Sequence, residues 1–196
     1  MFTNAIADEQ LVEWYFHGNE TALRTLFERY AGPVFNFLYR LLGNAADAED
    51  VAQETFFRAW KYLKKFNREK RFKPWLFAIA KNAAFASLAR VRARTFSDVE
   101  EKEGSFAETI NDPAPLPEEW FSRGDAEREV TRALQRISPA SRAVLVLYYQ
   151  EDLSFREIGE LLKEPLDTVK SRHRRALIAL RDLLVHQNGA SGDSNR

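Results

Sequence analysis

The chain has 196 residues, 45% hydrophobic and 30% charged, with 29 basic and 29 acidic side chains and no cysteine. That composition is ordinary for a soluble globular protein and excludes collagen-like, membrane and fully disordered classes, while the lack of thiols removes disulfide frames, thiolate metal sites and cysteine nucleophiles. The zero net charge conceals four blocks, −5 over residues 1–60, +10 over 61–94, −8 over 95–129 and +3 over 130–196, so a polyanion would meet two cationic surfaces separated by an acidic connector.

The first ten residues carry neither a basic start nor an apolar signal core, and no apolar run approaches the ~20 residues that span a bilayer. A cytoplasmic protein without membrane insertion is expected. Helical periodicity then predicts segments from Ala7 to His17 and Glu20 to Ala31, a break at Gly32-Pro33, and a further helix from Val34 to Leu42 before Gly43-Asn44. Asp47 to Phe66 and Phe72 to Arg94 complete a first module over residues 1–95. Val34, Phe35, Phe37, Leu38, Leu41 and Leu42 read as a core stripe, as do Val51, Phe56, Phe57, Trp60 and Leu63. β-branched alternation is missing, and the fold class is all-α, with two helical domains.

Lys61 to Arg94 holds eleven basic residues against Glu69 alone, interleaved with Phe66, Phe72, Trp75, Phe77 and Phe85. Such a surface can neutralise phosphates while an aromatic ring or pocket accepts an unstacked base. Packing of the module explains Trp75 and Leu76 equally well. Asn67, Arg68, Lys70 and Arg71 read instead as an exposed loop between helices. Residues 96–125 follow as an acidic flexible linker, since they combine carboxylates with Gly104, Pro113, Pro115, Pro117 and Gly124 and show no sustained apolar period.

The second module, residues 126–186, opens with a helix from Ala126 to Ile137, and Ser138-Pro139 restarts a helix to Gln150 as N-cap and first helical residue. Ser154 and Glu157 form a capping box, Ile158, Leu161 and Leu162 give an apolar face, and Pro165 is expected to stop that helix. A second helix restarts near Asp167 or Thr168. Taking about 100° per residue from Lys170, Arg174 falls near 40°, Ser171 near 100° and Arg175 near 140°, with Val169, Leu177, Leu180 and Leu184 opposite. A capped helix, a short turn and a basic amphipathic helix outline a helix-turn-helix DNA reader, although such a face taken alone also suits plain solvation. Residues 187–196, Gly-, Ser- and Asp-containing from Gly189, read as a disordered tail.

Three separated motifs resemble the extracytoplasmic-function (ECF, group IV) sigma factors of bacterial RNA polymerase. They are Asp47-Ala-Glu-Asp-Val-Ala-Gln-Glu-Thr-Phe-Phe-Arg-Ala-Trp60, Phe72-Lys-Pro-Trp-Leu-Phe-Ala-Ile-Ala-Lys-Asn82, and Leu153-Ser-Phe-Arg-Glu-Ile-Gly159 with Thr168-Val-Lys-Ser-Arg172. The resemblance covers nearly the whole chain and implies a sigma-2 and a sigma-4 domain without sigma-3. It implies core polymerase as partner, at its β′ clamp and β flap, with Asp50, Gln53, Glu54 and nearby Arg58 docking on the clamp. Promoter DNA is the second implied partner. The -10 element would meet Phe66, Asn67, Arg68, Lys70, Phe72, Lys73, Lys81 and Asn82; the -35 element would meet Lys170, Ser171, Arg174 and Arg175, with Thr168 and Arg172 nearer phosphate. An anti-sigma factor that covers the polymerase-binding surfaces is implied as well. No cofactor, metal or catalytic residue is expected.

The chain departs from the family's usual pattern at four positions. Lys163-Glu164 stands where the turn usually carries Gly or Gly with a small apolar residue, Asp167 replaces a common Gly and reads as a helix N-cap, and His173 takes a position that is commonly Leu or Ile. Two other classes are compatible with parts of the sequence. One is an operator-binding helix-turn-helix regulator acting as a dimer. The other is a nucleic-acid-processing enzyme, for which no His-Cys set, Gly-rich phosphate loop or convincing carboxylate cluster is visible.

Overall fold

The computed structural model describes residues 6–95 and 125–190. The chain divides into two compact units, Met1–Arg90 and Val91–Arg196. Among the described residues every regular element is helical: α1 (Asp8–Phe16), α2 (Glu20–Leu42), α3 (Ala45–Tyr62) with a 3-10 turn at Leu63–Lys65, α4 (Phe72–Thr95), α5 (Asp125–Leu134), α6 (Pro139–Tyr149), α7 (Phe155–Leu162) and α8 (Leu166–Ala190). No helix among them is long and apolar enough to cross a membrane. Residues 96–124 of the expected linker and 191–196 of the expected tail lie outside the described residues.

Helix α2 corrects the expected break, since it runs unbroken through Gly32 and Pro33. Proline removes one backbone donor from the helix. Continuity is held by Leu26, Tyr30, Val34, Phe37, Leu38 and Leu41, buried residues at three- and four-residue steps on both sides of it. Asn19 caps the start, and Gly43, at φ 78°, ends the helix in the left-handed conformation. The Asn44 side chain accepts from Ala46 N at 2.8 Å and Asp47 N at 3.3 Å, so α3 begins two residues before Asp47.

The buried side of α3 is made of Ala48, Val51, Ala52, Thr55 and Ala59. These small side chains pack the helix onto α2. Helix α1 is tied to α2 through Asp8, whose carboxylate accepts from Arg29 Nη1 and the Tyr30 hydroxyl. Burial pushes the Tyr30 phenol well above its ordinary range, reinforced by the hydrogen bond and charge of Asp8 and opposed by Arg29.

In the second unit Ser138 caps α6, and Pro139 is its first residue. Arg142, buried at the end of this turn, donates from Nη2 to the carbonyls of Gln135 at 3.2 Å and Ile137 at 3.1 Å. Ser154 and Glu157 form both halves of the capping box that starts α7. Termination differs from expectation. Helix α7 ends at Lys163, in the left-handed region at φ 59°, before Pro165 is reached, and Glu164 N bonds back to Gly159 O at 2.9 Å. Pro165 instead supplies the first carbonyl of α8, accepting from Val169 N at 3.1 Å, and Asp167 lies in the first helical turn and not at the N-cap. Helix α8 extends to Ala190 and includes Gly189, past residue 187 where the tail is expected to start.

Candidate nucleic-acid and polymerase interface

Helix α8 buries Val169, Ala176, Leu177, Leu180 and Leu184 against α5, α6 and α7. The opposite side therefore faces solvent. Lys170, Ser171 and Arg175 are exposed, and Arg174, which lies between Lys170 and Ser171 around the helix, is half-buried. Ser171 Oγ donates to Thr168 O at 3.0 Å, which holds the hydroxyl close to the helix, and Thr168 itself is half-buried. This is a cationic stripe with one small residue, suited in size and charge to a DNA groove.

Arg172, expected nearer phosphate, is turned toward Glu164 of the preceding turn. Its Nη2 donates to Glu164 Oε1 at 3.0 Å, and its side chain is only 12% exposed. The guanidinium spans the turn instead of projecting with its neighbours. His173 is half-buried among aromatic rings, edge-on to Tyr148 at 4.9 Å and Phe155 at 5.0 Å and stacked on Tyr149 at 5.6 Å. An imidazole fills the place of an aliphatic side chain by ring packing.

In the first unit, residues 67–71 form an exposed cationic loop between α3 and α4. Asn67 Oδ1 accepts from Glu69 N at 3.0 Å, and Lys70 N donates to Asn67 O at 3.0 Å, so the loop is a tight turn organised by one asparagine. The two flanking phenylalanines are not part of its surface. Phe66 is 7% exposed and Phe72 fully buried; they meet edge-on at 5.9 Å, and Trp75 packs against both. Expected as base-contacting rings, they are instead the aromatic floor that fixes the loop ends. Lys73 and Lys81 lie over the rings of Phe77 and Phe85, at 5.9 Å and 5.4 Å, and Asn82 is exposed on α4.

Asp50, Gln53 and Glu54 are exposed on the side of α3 that faces away from α2, and Arg58 is ion-paired to Glu54 at 2.6 Å. Phe57 and Trp60 share that side, each 54% exposed, with ring centroids 6.1 Å apart. Helical periodicity alone assigns both rings to the core, and the structure places them outside it. Phe57 stands four residues on from Gln53 and three from Glu54, and Trp60 three on from Phe57, a spacing that assigns both to the polar side, because Ala48, Val51, Ala52, Thr55 and Ala59 already complete the buried one. Two adjoining exposed aromatics beside carboxylates and an amide make an adhesive helical face.

The chain matches the family models Sigma-70 region 2 over residues 26–95 and Sigma-70, region 4 over residues 133–182. It is 31% identical over 171 residues to the ECF RNA polymerase sigma factor SigW of Bacillus subtilis, covering 85% of this chain and 91% of that protein. It is 33% identical over 176 residues to the RNA polymerase sigma-H factor of Pseudomonas aeruginosa, covering 88% and 91%. Among solved structures it resembles the sigma factor RpoE of Bartonella quintana in complex with the anti-sigma factor NepR, with a TM-score of 0.63 and 26% identity over 82% of this chain and 95% of that one. The fold of CnrH, solved with the cytosolic domain of CnrY, agrees at a TM-score of 0.64 over 92% and 99% of the two chains. With both regions matched in order and relatives aligned over most of their length, the chain belongs to the ECF sigma factors, the promoter-specificity subunits of bacterial RNA polymerase.

Proposed function

We propose that this sigma factor docks on the β′ clamp of core polymerase through the exposed face of α3, with Asp50, Gln53 and Glu54 as polar contacts and Phe57 and Trp60 as apolar anchors. Arg58 acts through its pair with Glu54 and is a positioning residue. The sigma-2 domain, residues 1–95, meets the -10 element through the loop at Asn67, Arg68 and Lys70 and through Lys73, Lys81 and Asn82 of α4. The sigma-4 domain, residues 126–186, rests on the β flap and reads the -35 element through Lys170, Ser171, Arg174 and Arg175. Thr168 sits close to phosphate. DNA opens because captured, unstacked bases offset the cost of separating them, each stacking contact being worth about 1–3 kcal/mol. No covalent chemistry is required of the chain, which works in the cytoplasm and is held inactive by an anti-sigma factor until released.

The observation that carries this reading is the division of α8, with Val169, Leu177 and Leu180 buried and Lys170, Ser171 and Arg175 exposed on the other side. A helix with its core face fully used presents its cations outward. The test is transcription by core polymerase with Lys170→Ala or Arg175→Ala on templates with intact and scrambled -35 elements. Each variant is expected to lose most activity on the intact template and little on the scrambled one. Equal loss on both would overturn the assignment of α8 to the -35 element.

A further inference from the structure

Helix α1 directs two carboxylates to the two ends of the cationic loop. Glu9 Oε1 accepts from Phe72 N at 3.2 Å, in the first turn of α4, where backbone donors have no partner within the helix. One turn along α1, Glu13 holds Arg68, whose Nη1 donates to Oε1 at 3.1 Å and Oε2 at 3.3 Å. The Arg68 guanidinium also lies 5.3 Å from the centroid of the Phe16 ring. The helix that makes these contacts is itself fastened to α2 through Asp8, Arg29 and Tyr30, and Tyr30 packs on Phe72 at 5.7 Å. The matched region 2 model begins at residue 26, so α1 stands outside it.

The two contacts differ in kind. The Glu9 bond is partly buried and closes an open helix end. Glu13 and Arg68 are 43% and 55% exposed, a pair of the weak, salt-screened class that a competing anion displaces readily. A DNA phosphate brings the same charge and acceptor geometry as Glu13. His17 Nδ1 is 2.8 Å from the backbone oxygen of Glu13 and 3.9 Å from its Oε2, so the imidazole borders the carboxylate that holds Arg68.

We propose that α1 is a strap for the promoter loop, in which Glu9 positions the start of α4 and Glu13 occupies Arg68 until a DNA phosphate exchanges for it. Glu13 thereby lowers the affinity of the loop for DNA that offers phosphate without the right bases. The proposal rests on the reading that Arg68 meets promoter DNA.

The test uses holoenzyme assembled from host core polymerase and the full chain, and fork-junction DNA from a promoter it transcribes. Binding is measured for the natural chain, Glu13→Gln, Arg68→Ala and the double variant. Glu13→Gln is expected to bind about two- to five-fold more tightly, the range of an exposed pair. That gain should vanish in the Arg68→Ala background, while Arg68→Ala alone binds more weakly. An unchanged Glu13→Gln, or an equal gain in both backgrounds, overturns the strap and leaves the loop reading standing. An Arg68→Ala protein that binds like the natural one removes the loop reading and the strap with it. For Glu9, open-complex formation should slow in Glu9→Ala and recover in Glu9→Gln, whose amide oxygen still accepts from Phe72 N; failure of the amide to restore the rate contradicts the positioning role.

Discussion

Arg172 and Glu164 are joined across the helix-turn-helix by a 3.0 Å hydrogen bond, and the arginine is thereby withdrawn from the cationic face that Lys170, Ser171 and Arg175 present. Glu164 is one of the two turn residues at which the chain departs from the family's usual pattern. Glu164→Ala would leave a largely buried guanidinium without this acceptor, and a bond to a charged group is worth about 1.5–3 kcal/mol. The partial exposure of Glu164 places the expected loss at the low end of that range. Urea unfolding of the second unit's helices by circular dichroism measures it, and -35-dependent transcription should fall although neither residue reads a base.

Lys163 holds the left-handed conformation at the end of α7, at φ 59°. A side chain there costs about 1–2 kcal/mol, part of which glycine returns to the unfolded chain as entropy. Lys163→Gly should raise stability by about 0.5–1 kcal/mol, read as an increase in melting temperature at unchanged -35 selectivity.

Gly159 faces the same turn from the other side. A Cβ built on it would lie 2.9 Å from the backbone oxygen of Glu164, an atom that cannot swing away as a flexible side chain would. Gly159→Ala should therefore push the turn outward and destabilise the unit by about 1–3 kcal/mol. Thermal melts of this variant beside Ala143→Gly, which removes a buried methyl elsewhere in the core, separate a turn defect from general loosening if promoter selectivity falls only in the first.

The aromatic residues of the first unit divide into two groups with opposite expected behaviour. Phe72→Ala removes a fully buried ring and should cost about 3–5 kcal/mol. Phe57→Ala and Trp60→Ala alter an exposed face and should change stability by no more than about 0.5 kcal/mol, while weakening the complex with core polymerase about ten-fold or more. Melting curves together with a core-binding titration check both halves.

Local signals in the sequence were reliable guides where a single element settles the outcome. Ser154 and Glu157 stand three apart and cap α7; Val169, Leu177 and Leu180 repeat at helical spacing and are buried. Non-local partners were the part that could not be read. Nothing near Arg172 in sequence requires it to turn back eight residues to Glu164, and the bond from Phe72 N to Glu9 joins residues 63 apart. Composition also could not tell Phe57 from Phe56, because an exposed adhesive ring and a packed one are the same residue type. Pro33 misled for a related reason: the loss of one donor is local, while the buried stripe that carries α2 past it is set by the whole unit.

The central claim, that this chain directs polymerase to promoters through two DNA-reading domains, is tested most directly by transcription of fragmented host DNA with core polymerase, with and without the protein, mapping new 5′ ends. Discrete start sites sharing two upstream motifs at constant spacing, lost on Arg175→Ala and on Gln53→Ala, are expected. Specific duplex binding by the protein alone, with no start sites that depend on it, would contradict the claim.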